Sequence, residues 1–479
     1  MEHELTEDDP TPFIRKPVFW LLLVSGCYGI LQLVLSDLGR FLVWDEAIYV
    51  SEVSGFADAI FLDAHRARGI TLIVAPVVQL TDSIVAMRGY LVVTSSIGLF
   101  FSFLPWCRTI GWASPVAAAT FGSTWLTIFY GSEVMPNLYT AFLAVGLVGL
   151  AVAYSRVPER RFVVGVLVVL AAITVMRPLD GVAGLATVAT IQILGRFRHS
   201  GPVLAGATAG VAIGMVPWLV EAWVRFGGPL ARLERIRDLV GGGFTNNVTE
   251  YLRLLDGPLS GPDRNTDIAI LVIAWLTLLF ALGLVGSVLG STASRKLAWI
   301  ALFATVWFAS PYLFASEASA PRFLLPALAF MGIAASIGLQ VGTASLRPVL
   351  RSLVIACTVI VVAVLNVSAL ATISSDQTAA RDRGELLANV LDDRSVAGSC
   401  YFLSSSGYPQ ISVASGCRGG HFMEDAARND ERLRRAEEGG SSVFVLINSE
   451  NPTASLEEGW RCEQVDGLPE RHWHICSPG

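Results

Sequence analysis

The stretch Gly39-Arg40-Phe41-Leu42-Val43-Trp44-Asp45-Glu46-Ala47-Ile48-Tyr49-Val50-Ser51-Glu52-Val53 follows directly on an apolar run over 17–36. It sets two adjacent carboxylates, Asp45 and Glu46, behind an aromatic residue, Trp44, just past the end of that run. About 20 mainly apolar residues suffice for a helix to cross the hydrocarbon core of a bilayer, and tryptophan concentrates where that core meets water. The stretch therefore opens a polar connection at a membrane surface. Its continuation from Ala47 to Ile60 predicts an amphipathic helix lying in the interface. His65-Arg66-Ala67-Arg68-Gly69 comes next, followed by an apolar run to Leu80 that is too short to span and reads as a second interfacial or re-entrant piece. Asp45 and Glu46 would also suit the positive end of the first of these helices as caps.

Outward from this loop the composition agrees with a membrane setting. Of 479 residues, 53% are hydrophobic and 15% charged, with a mean hydropathy of +0.57; an ordinary soluble domain carries about 25% charged residues. This excludes a conventional cytosolic enzyme and a disordered chain. A net charge of −6 and the lack of any long basic tract argue against nucleic acid as a partner. Arginine supplies 32 of the 34 basic residues, a bias that hints at a GC-rich, bacterial genome.

Apolar runs predict about eleven spans, roughly 17–36, 89–107, 112–130, 138–154, 162–176, 179–194, 203–223, 268–290, 297–315, 323–342 and 352–373. The first lacks a small-residue cleavage site and is not a signal peptide. With the N-terminus inside, every inner connection carries positive charge: Arg15 and Lys16, Arg108, Arg156 with Arg160 and Arg161, Arg196 and Arg198, Arg295 and Lys296, Arg347 and Arg351. The long connections 37–88 and 224–267 then fall outside, as does the tail.

Cysteine usage points the same way. Cys27, Cys107 and Cys357 lie in or at the ends of apolar spans, while Cys400, Cys417, Cys462 and Cys476 all lie in the tail, with gaps of 16, 44 and 13 residues and no Cys-x-x-Cys knuckle for zinc. Disulfides in an oxidising compartment fit better, and of the three connectivities the pairing Cys400–Cys417 with Cys462–Cys476 closes the shortest loops. The tail predicts a small mixed domain, with helices over 377–391 and 421–438, strands over 399–403 and 443–448, and strand-like pieces near 460–465 and 471–476. The expected organisation is a polytopic α-helical plasma-membrane protein. It comprises a cytoplasmic tail 1–16, a membrane domain 17–373 that includes the outer loop 37–88, and a small α/β extracytoplasmic domain 374–479.

More ionisable residues gather at the outer span ends. Glu133 lies in Tyr130-Gly131-Ser132-Glu133-Val134-Met135-Pro136-Asn137; Arg177 lies in Met176-Arg177-Pro178-Leu179-Asp180, where Asp180 reads as a snorkelling side chain or a member of a structural ion pair; Arg322 lies in Pro321-Arg322-Phe323-Leu324-Leu325-Pro326. Charged groups at such depth are usually functional. Carboxylates can deprotonate a hydroxyl or hold a cation, and arginine grips phosphate bidentately. The combination suggests a lipid-phosphate substrate.

Trp44-Asp45-Glu46-Ala47-Ile48-Tyr49 resembles the Asp-Glu motif in the first outer loop of the GT-C superfamily of membrane glycosyltransferases, which includes protein O-mannosyltransferases and bacterial aminoarabinose transferases. The His65–Gly69 segment, Arg88 opening the second span, and Arg322-Phe323-Leu324-Leu325-Pro326 support the resemblance, which covers roughly 15–345 and leaves out the tail. It implies a polyprenyl-phosphate-linked sugar donor, an envelope glycan, lipid or protein acceptor, and an inverting transfer on the extracytoplasmic face. Carried over, Asp45 would be the general base and Glu46 its assistant; Glu133 would be a second acidic site; Arg177 and Arg322 would bind the donor phosphate; His65 and Arg68 would contact donor or acceptor. Asp45, Glu46 and Glu133 can also supply oxygen ligands for magnesium or manganese, and their spacing leaves metal dependence open. Mannose, arabinofuranose and aminoarabinose all remain as donor sugars.

The connection 226–266, with Gly241-Gly242-Gly243 and Gly257-Pro258, reads either as a lid over the site or as a plain connector. Two other functions compete with the enzyme. A transporter or flippase would place charges in mid-bilayer and show inverted repeats; here the charges sit at span ends and no repeat is evident. A non-catalytic scaffold with an outer binding domain would suit the disulfide-bonded tail.

Overall fold

The computed structural model describes residues 16–56, 59–60, 62–194, 200–241, 243–253, 266–315, 319–395, 400–423, 426–450, 452, 456, 459–466, 468 and 472–478. The expected tail 1–16, apart from Lys16, and Gly242 and Gly257-Pro258 of the connection read as a lid or a plain connector lie outside the described residues. Two compact units emerge. One holds residues up to Ser36, Ala64–Gly69 and Leu91–Ile373; the other holds Asp37–Asp63, Ile70–Tyr90 and Ser374–Gly479.

The first unit is helical, and with the helices that run into it the chain is a polytopic membrane protein. Among the described residues, eight helices are long and apolar enough to cross a membrane: Pro17–Leu35, Ile84–Cys107, Pro136–Arg156, Ser200–Phe226, Ile270–Leu289, Thr292–Phe314, Pro321–Gly342 and Pro348–Leu370. Two of them, Pro136–Arg156 and Pro321–Gly342, are buried over 78% and 72% of their apolar windows, against 39% or less for the other six. These two form the centre, and the rest turn apolar side chains such as Leu33, Phe101, Trp223 and Val306 outward, as lipid-facing helices do.

The remaining three predicted spans are present as shorter helices. Arg160–Met176 and Pro178–Leu194 have 17 residues each and are separated by Arg177, because a residue before proline is pushed out of helical geometry; Arg177 sits at φ −153°, ψ 101°. The run 112–130, expected as one span, breaks into Ala113–Gly122 and Trp125–Gly131. Thr124 caps the second piece, its Oγ1 accepting from Thr127 N at 3.3 Å. The freed Trp125 N–H donates to Oδ1 of buried Asn366 at 3.0 Å. Such a break is tolerated at membrane depth only where protein groups satisfy the backbone.

Glycine permits close packing inside this unit, as at the crossing of two of its helices. Thr266–Leu289 packs against Leu325–Gly342; a Cβ on Gly286 would lie 2.9 Å from Gly338 N, and one on Gly338 would collide with the Leu282 carbonyl oxygen. Small residues let two helices touch backbone to backbone where lipid supplies no hydrophobic drive.

The second unit is built on a five-stranded sheet of β1 (Cys400–Ser404), β2 (Arg418–His421), β3 (Ser442–Asn448), β4 (Trp460–Gln464) and β5 (Trp473–Pro478), in the order β2-β1-β3-β5-β4. The pairs β1–β2 and β1–β3 are parallel; β3–β5 and β5–β4 are antiparallel. Alternation divides its side chains between two faces. Phe402, Phe444, Leu446 and Ile475 pack with Leu387 and Leu391, while Leu403, Val443, Val445 and Ile447 pack with Leu433 of the helix Ala426–Glu438. Cys400 is bonded to Cys417, and Cys462 to Cys476 directly across β4–β5. The helix Tyr408–Ser415 and the strand β2 have no counterpart in the sequence expectation, and the span 352–373 and helix 377–391 are one helix, Pro348–Arg394.

Candidate active site

The loop that follows the first span folds around a buried ion pair. Trp44–Ser51 is a helix of eight residues, of which Glu46 to Ser51 are buried. This corrects the amphipathic surface helix expected over 47–60: Ile48, Tyr49 and Val50 are buried in the protein, and the chain leaves the helix at Glu52. Ser51 helps fix that end, its hydroxyl donating to Ile48 O at 2.9 Å and accepting from Ile60 N at 3.0 Å. The apolar piece near 70–80 is the helix Gly69–Val78, with Val78 O accepting from Gly55 N at 3.3 Å.

Glu46 is wholly buried and both its carboxylate oxygens are engaged. Oε1 accepts from Arg88 Nη1 at 3.1 Å, and Oε2 from Arg88 Nη2 at 3.0 Å and from Val43 N at 3.1 Å. Arg88, likewise wholly buried, donates through Nε to Arg40 O at 3.2 Å and through Nη2 to Phe41 O at 3.4 Å. One guanidinium thus ties the segment entering the loop to the first turn of the helix in the two-pronged geometry that makes arginine–carboxylate pairs strong. Asp45, the preceding residue, is half-buried in that same first turn, where the helix dipole favours a carboxylate. With a guanidinium on both oxygens, Glu46 does not fit as a cation ligand. Among the described residues no three His, Cys, Asp or Glu side chains group as a metal site.

The other expected site residues belong to the first unit. Arg177 and Arg322 meet at one aromatic ring: their guanidiniums lie 4.7 and 5.3 Å from the centroid of Phe323. Arg177 also covers Tyr312 at 4.9 Å, and its Nε is 3.2 Å from Asp180 Oδ2. Tyr312 donates to the other oxygen of Asp180 at 2.6 Å. Flat guanidinium groups stack well on aromatic faces and keep donors at their edges for an anion. Tyr251, from the short helix Val248–Arg253, is buried in the electrostatic field of both arginines. Burial pushes its hydroxyl up to about 12, outweighing the opposing pull of Arg177 and Arg322, and it is a phenol and a hydrogen-bond donor at neutral pH.

Arg68 sits in a second basic cluster. Its Nε is 2.8 Å from Glu221 Oε1, Arg225 Nη1 is 3.8 Å from that oxygen, and Arg232 Nη2 is 3.1 Å from Oε2. Arg232 is wholly buried, stacked on Trp218 and Phe226 at 4.6 and 4.9 Å, and donates to the carbonyls of Ala64, Arg66 and Trp218 at 2.9 to 3.0 Å. Burial lowers its pKa and Glu221 pulls it back up. Arg232 thereby fixes the 64–68 segment, from which His65 is exposed. Glu133 is fully buried in the turn that leads into Pro136–Arg156, its N–H bonded to Tyr130 O at 3.3 Å.

Tyr251, Tyr312, Glu221 and Arg232 escaped the sequence reading. Tyr312 lies in an apolar run and Tyr251 in a connection without a motif, while Arg232 is one of several charges in Pro229–Val240 and is singled out only by its burial.

No family model matches the chain, and no curated protein matches it in sequence. Solved structures do match. The structure of ArnT from Cupriavidus metallidurans bound to undecaprenyl phosphate is similar over 96% of this chain and 98% of that one, with a TM-score of 0.66 at 11% identity. This chain has the GT-C fold. Two further members of that fold are similar to it. The arabinofuranosyltransferase AftD from Mycobacteria matches over 96% of this chain and 40% of its own length, with a TM-score of 0.53 and 14% identity. The apo oligosaccharyltransferase of Archaeoglobus fulgidus matches over 92% and 71%, with a TM-score of 0.51 and 11% identity. At such identities the GT-C likeness speaks for the fold, and the chemistry has to be read from this chain's own residues.

Proposed function

We propose that this protein is a glycosyltransferase that moves a sugar from a polyprenyl-phosphate-linked donor to an envelope glycan, lipid or protein acceptor on the extracytoplasmic face. The observation that carries the reading is the match, over nearly the whole of both chains, to ArnT bound to undecaprenyl phosphate. The buried frame of Glu46 and Arg88 behind Asp45 supports the placing of the base. The distribution of arginine supports the orientation.

In the proposed reaction Asp45 takes the proton of the acceptor nucleophile as it attacks the sugar's anomeric carbon. The carbon–oxygen bond to the donor phosphate breaks on the opposite face, and the electron pair leaves with polyprenyl phosphate. A single displacement of this kind inverts the anomeric centre. Glu46 does not touch the substrate: its part is to hold the helix turn that bears Asp45. Arg177 and Arg322 bind the donor phosphate and stabilise the charge that grows on it, and Tyr251 adds a neutral donor. Fixed donors aimed at developing charge are commonly the largest catalytic contribution. His65 and Arg68 contact donor or acceptor, and Glu133 is the second acidic residue of the site.

Binding of polyprenyl phosphate tests the first half of this reading. Purified protein in nanodiscs should bind it, and Arg177→Ala with Arg322→Ala should abolish that binding without unfolding the protein. Equal binding by the double variant would remove both arginines from the donor site.

A further inference from the structure

The residues that the resemblance leaves out form the support of the residue to which it gives the chemistry. Phe41, four positions before Asp45, is only 5% exposed and belongs to the core that includes Leu387, Leu391, Phe402, Ile411 and Trp473. Gly384 makes room for it: a Cβ there would lie 2.6 Å from the Phe41 ring. Three residues further on, Trp44 N–H is one of the donors that a helix start leaves without an intrahelical partner. The Gln410 side-chain amide, oriented so that its nitrogen donates to Gly407 O at 2.9 Å, accepts from that N–H at 3.1 Å. The Trp44 ring meets Tyr408 edge to face at 5.2 Å. Tyr408, Gln410 and Ile411 all lie on Tyr408–Ser415, and that helix falls wholly within the loop closed by Cys400–Cys417.

We propose that the C-terminal sheet, through Phe41 and the disulfide-closed helix Tyr408–Ser415, is the positioning device for the helix that carries Asp45. The functional half of this inference rests on Asp45 being the base. A helix of eight residues does not hold itself; its geometry comes from what it is fixed to. Arg88 holds the backbone of Arg40 and Phe41 and the Glu46 turn, and the sheet holds the Phe41 ring and the Trp44 end. The disulfide restricts the one segment that supplies Tyr408 and Gln410. Phe41, Tyr408, Gln410 and Cys417 are therefore positioning residues and touch no substrate. A displacement of about 1 Å in a reacting group is enough to cost about 10²-fold in rate.

The test uses full-length protein in nanodiscs and two readouts, hydrogen exchange of peptides covering 44–51 and steady-state transfer. Gln410→Met removes only the acceptor for Trp44 N–H, Phe41→Ala empties the core position, and Cys400→Ala with Cys417→Ala opens the loop. Each should speed exchange in 44–51 by about tenfold or more while leaving the helix Pro136–Arg156 unchanged. Each should lower kcat by about tenfold or more with donor KM within about twofold, and Phe41→Leu should restore most of both. Unchanged exchange in 44–51 in all three variants, or faster exchange with full kcat, overturns the proposal. Asp45→Asn separates the two readings: full transfer by that variant refutes Asp45 as the base, whereas the exchange data still decide whether the sheet positions the helix.

Discussion

Arg88→Ala would expose how much of this site depends on one buried guanidinium. The substitution leaves the Glu46 carboxylate wholly buried without its guanidinium partner and removes the donors to the Arg40 and Phe41 carbonyls. Taking one partner from a buried ion pair costs about 3–5 kcal/mol, because the other charge is stranded; two weakened carbonyl bonds add about 1 kcal/mol each. The expected loss is about 5–7 kcal/mol, which protonation of Glu46 would partly offset. Glu46→Gln should cost less, because an amide still offers an acceptor, and Glu46→Leu with Arg88→Met should cost well below the sum of the corresponding single losses. A double-mutant cycle on unfolding of the second unit, followed by hydrogen exchange in nanodiscs, measures the coupling. We expect a coupling of about 3 kcal/mol. Additive effects, or an Arg88→Ala protein with native exchange over 40–51, would refute the claim that this pair holds the loop.

Three other substitutions probe separate parts of the structure. Asn366→Leu leaves Trp125 N–H buried without its acceptor and should lower stability by about 1–3 kcal/mol, read as a fall in the nanodisc melting temperature. Arg177→Lys keeps the charge but loses the stacked, forked geometry over Tyr312 and Phe323, and should lower kcat/KM for the donor by about 10²-fold. Tyr251 has its native pKa raised from 10.0 to about 12, so its stabilising contribution is complete below about pH 10 and fades as pH rises towards 12. That amounts to about 3 kcal/mol, and melting curves from pH 9 to 12 should show Tyr251→Phe losing less stability than wild type.

The membrane fold was legible because the bilayer writes a coarse signal, long apolar runs bounded by arginine. The signal failed where a run was interrupted without any loss of hydropathy: Ser123 and Thr124 break 112–130, and the Thr124 cap and the distant Asn366 satisfy the backbone there. The adjacent carboxylates were equally legible as a pair, but their division of labour was not. That Glu46 is committed to Arg88 while Asp45 stays half-buried depends on a contact 42 residues away in sequence. Phe41 illustrates the same limit. Beside an interfacial tryptophan it read as part of a surface loop, yet its ring completes a core whose other members lie beyond residue 380. Asp180 read as a structural charge without a named partner, and the structure pairs it with Arg177, whereas Tyr251 and Arg232 carry no local mark at all.

Transfer by the wild type and by Asp45→Asn tests the central claim most directly. Membranes matched for expression would be given a panel of radiolabelled polyprenyl-phosphate sugars and an envelope acceptor extract, with polyprenyl-phosphate binding measured alongside. The account predicts transfer from one donor by wild type, with inversion at the anomeric carbon, and a fall of about 10²–10⁴-fold in Asp45→Asn at unchanged binding. Undiminished transfer by Asp45→Asn, or neither transfer nor polyprenyl-phosphate binding by the wild type, would contradict it.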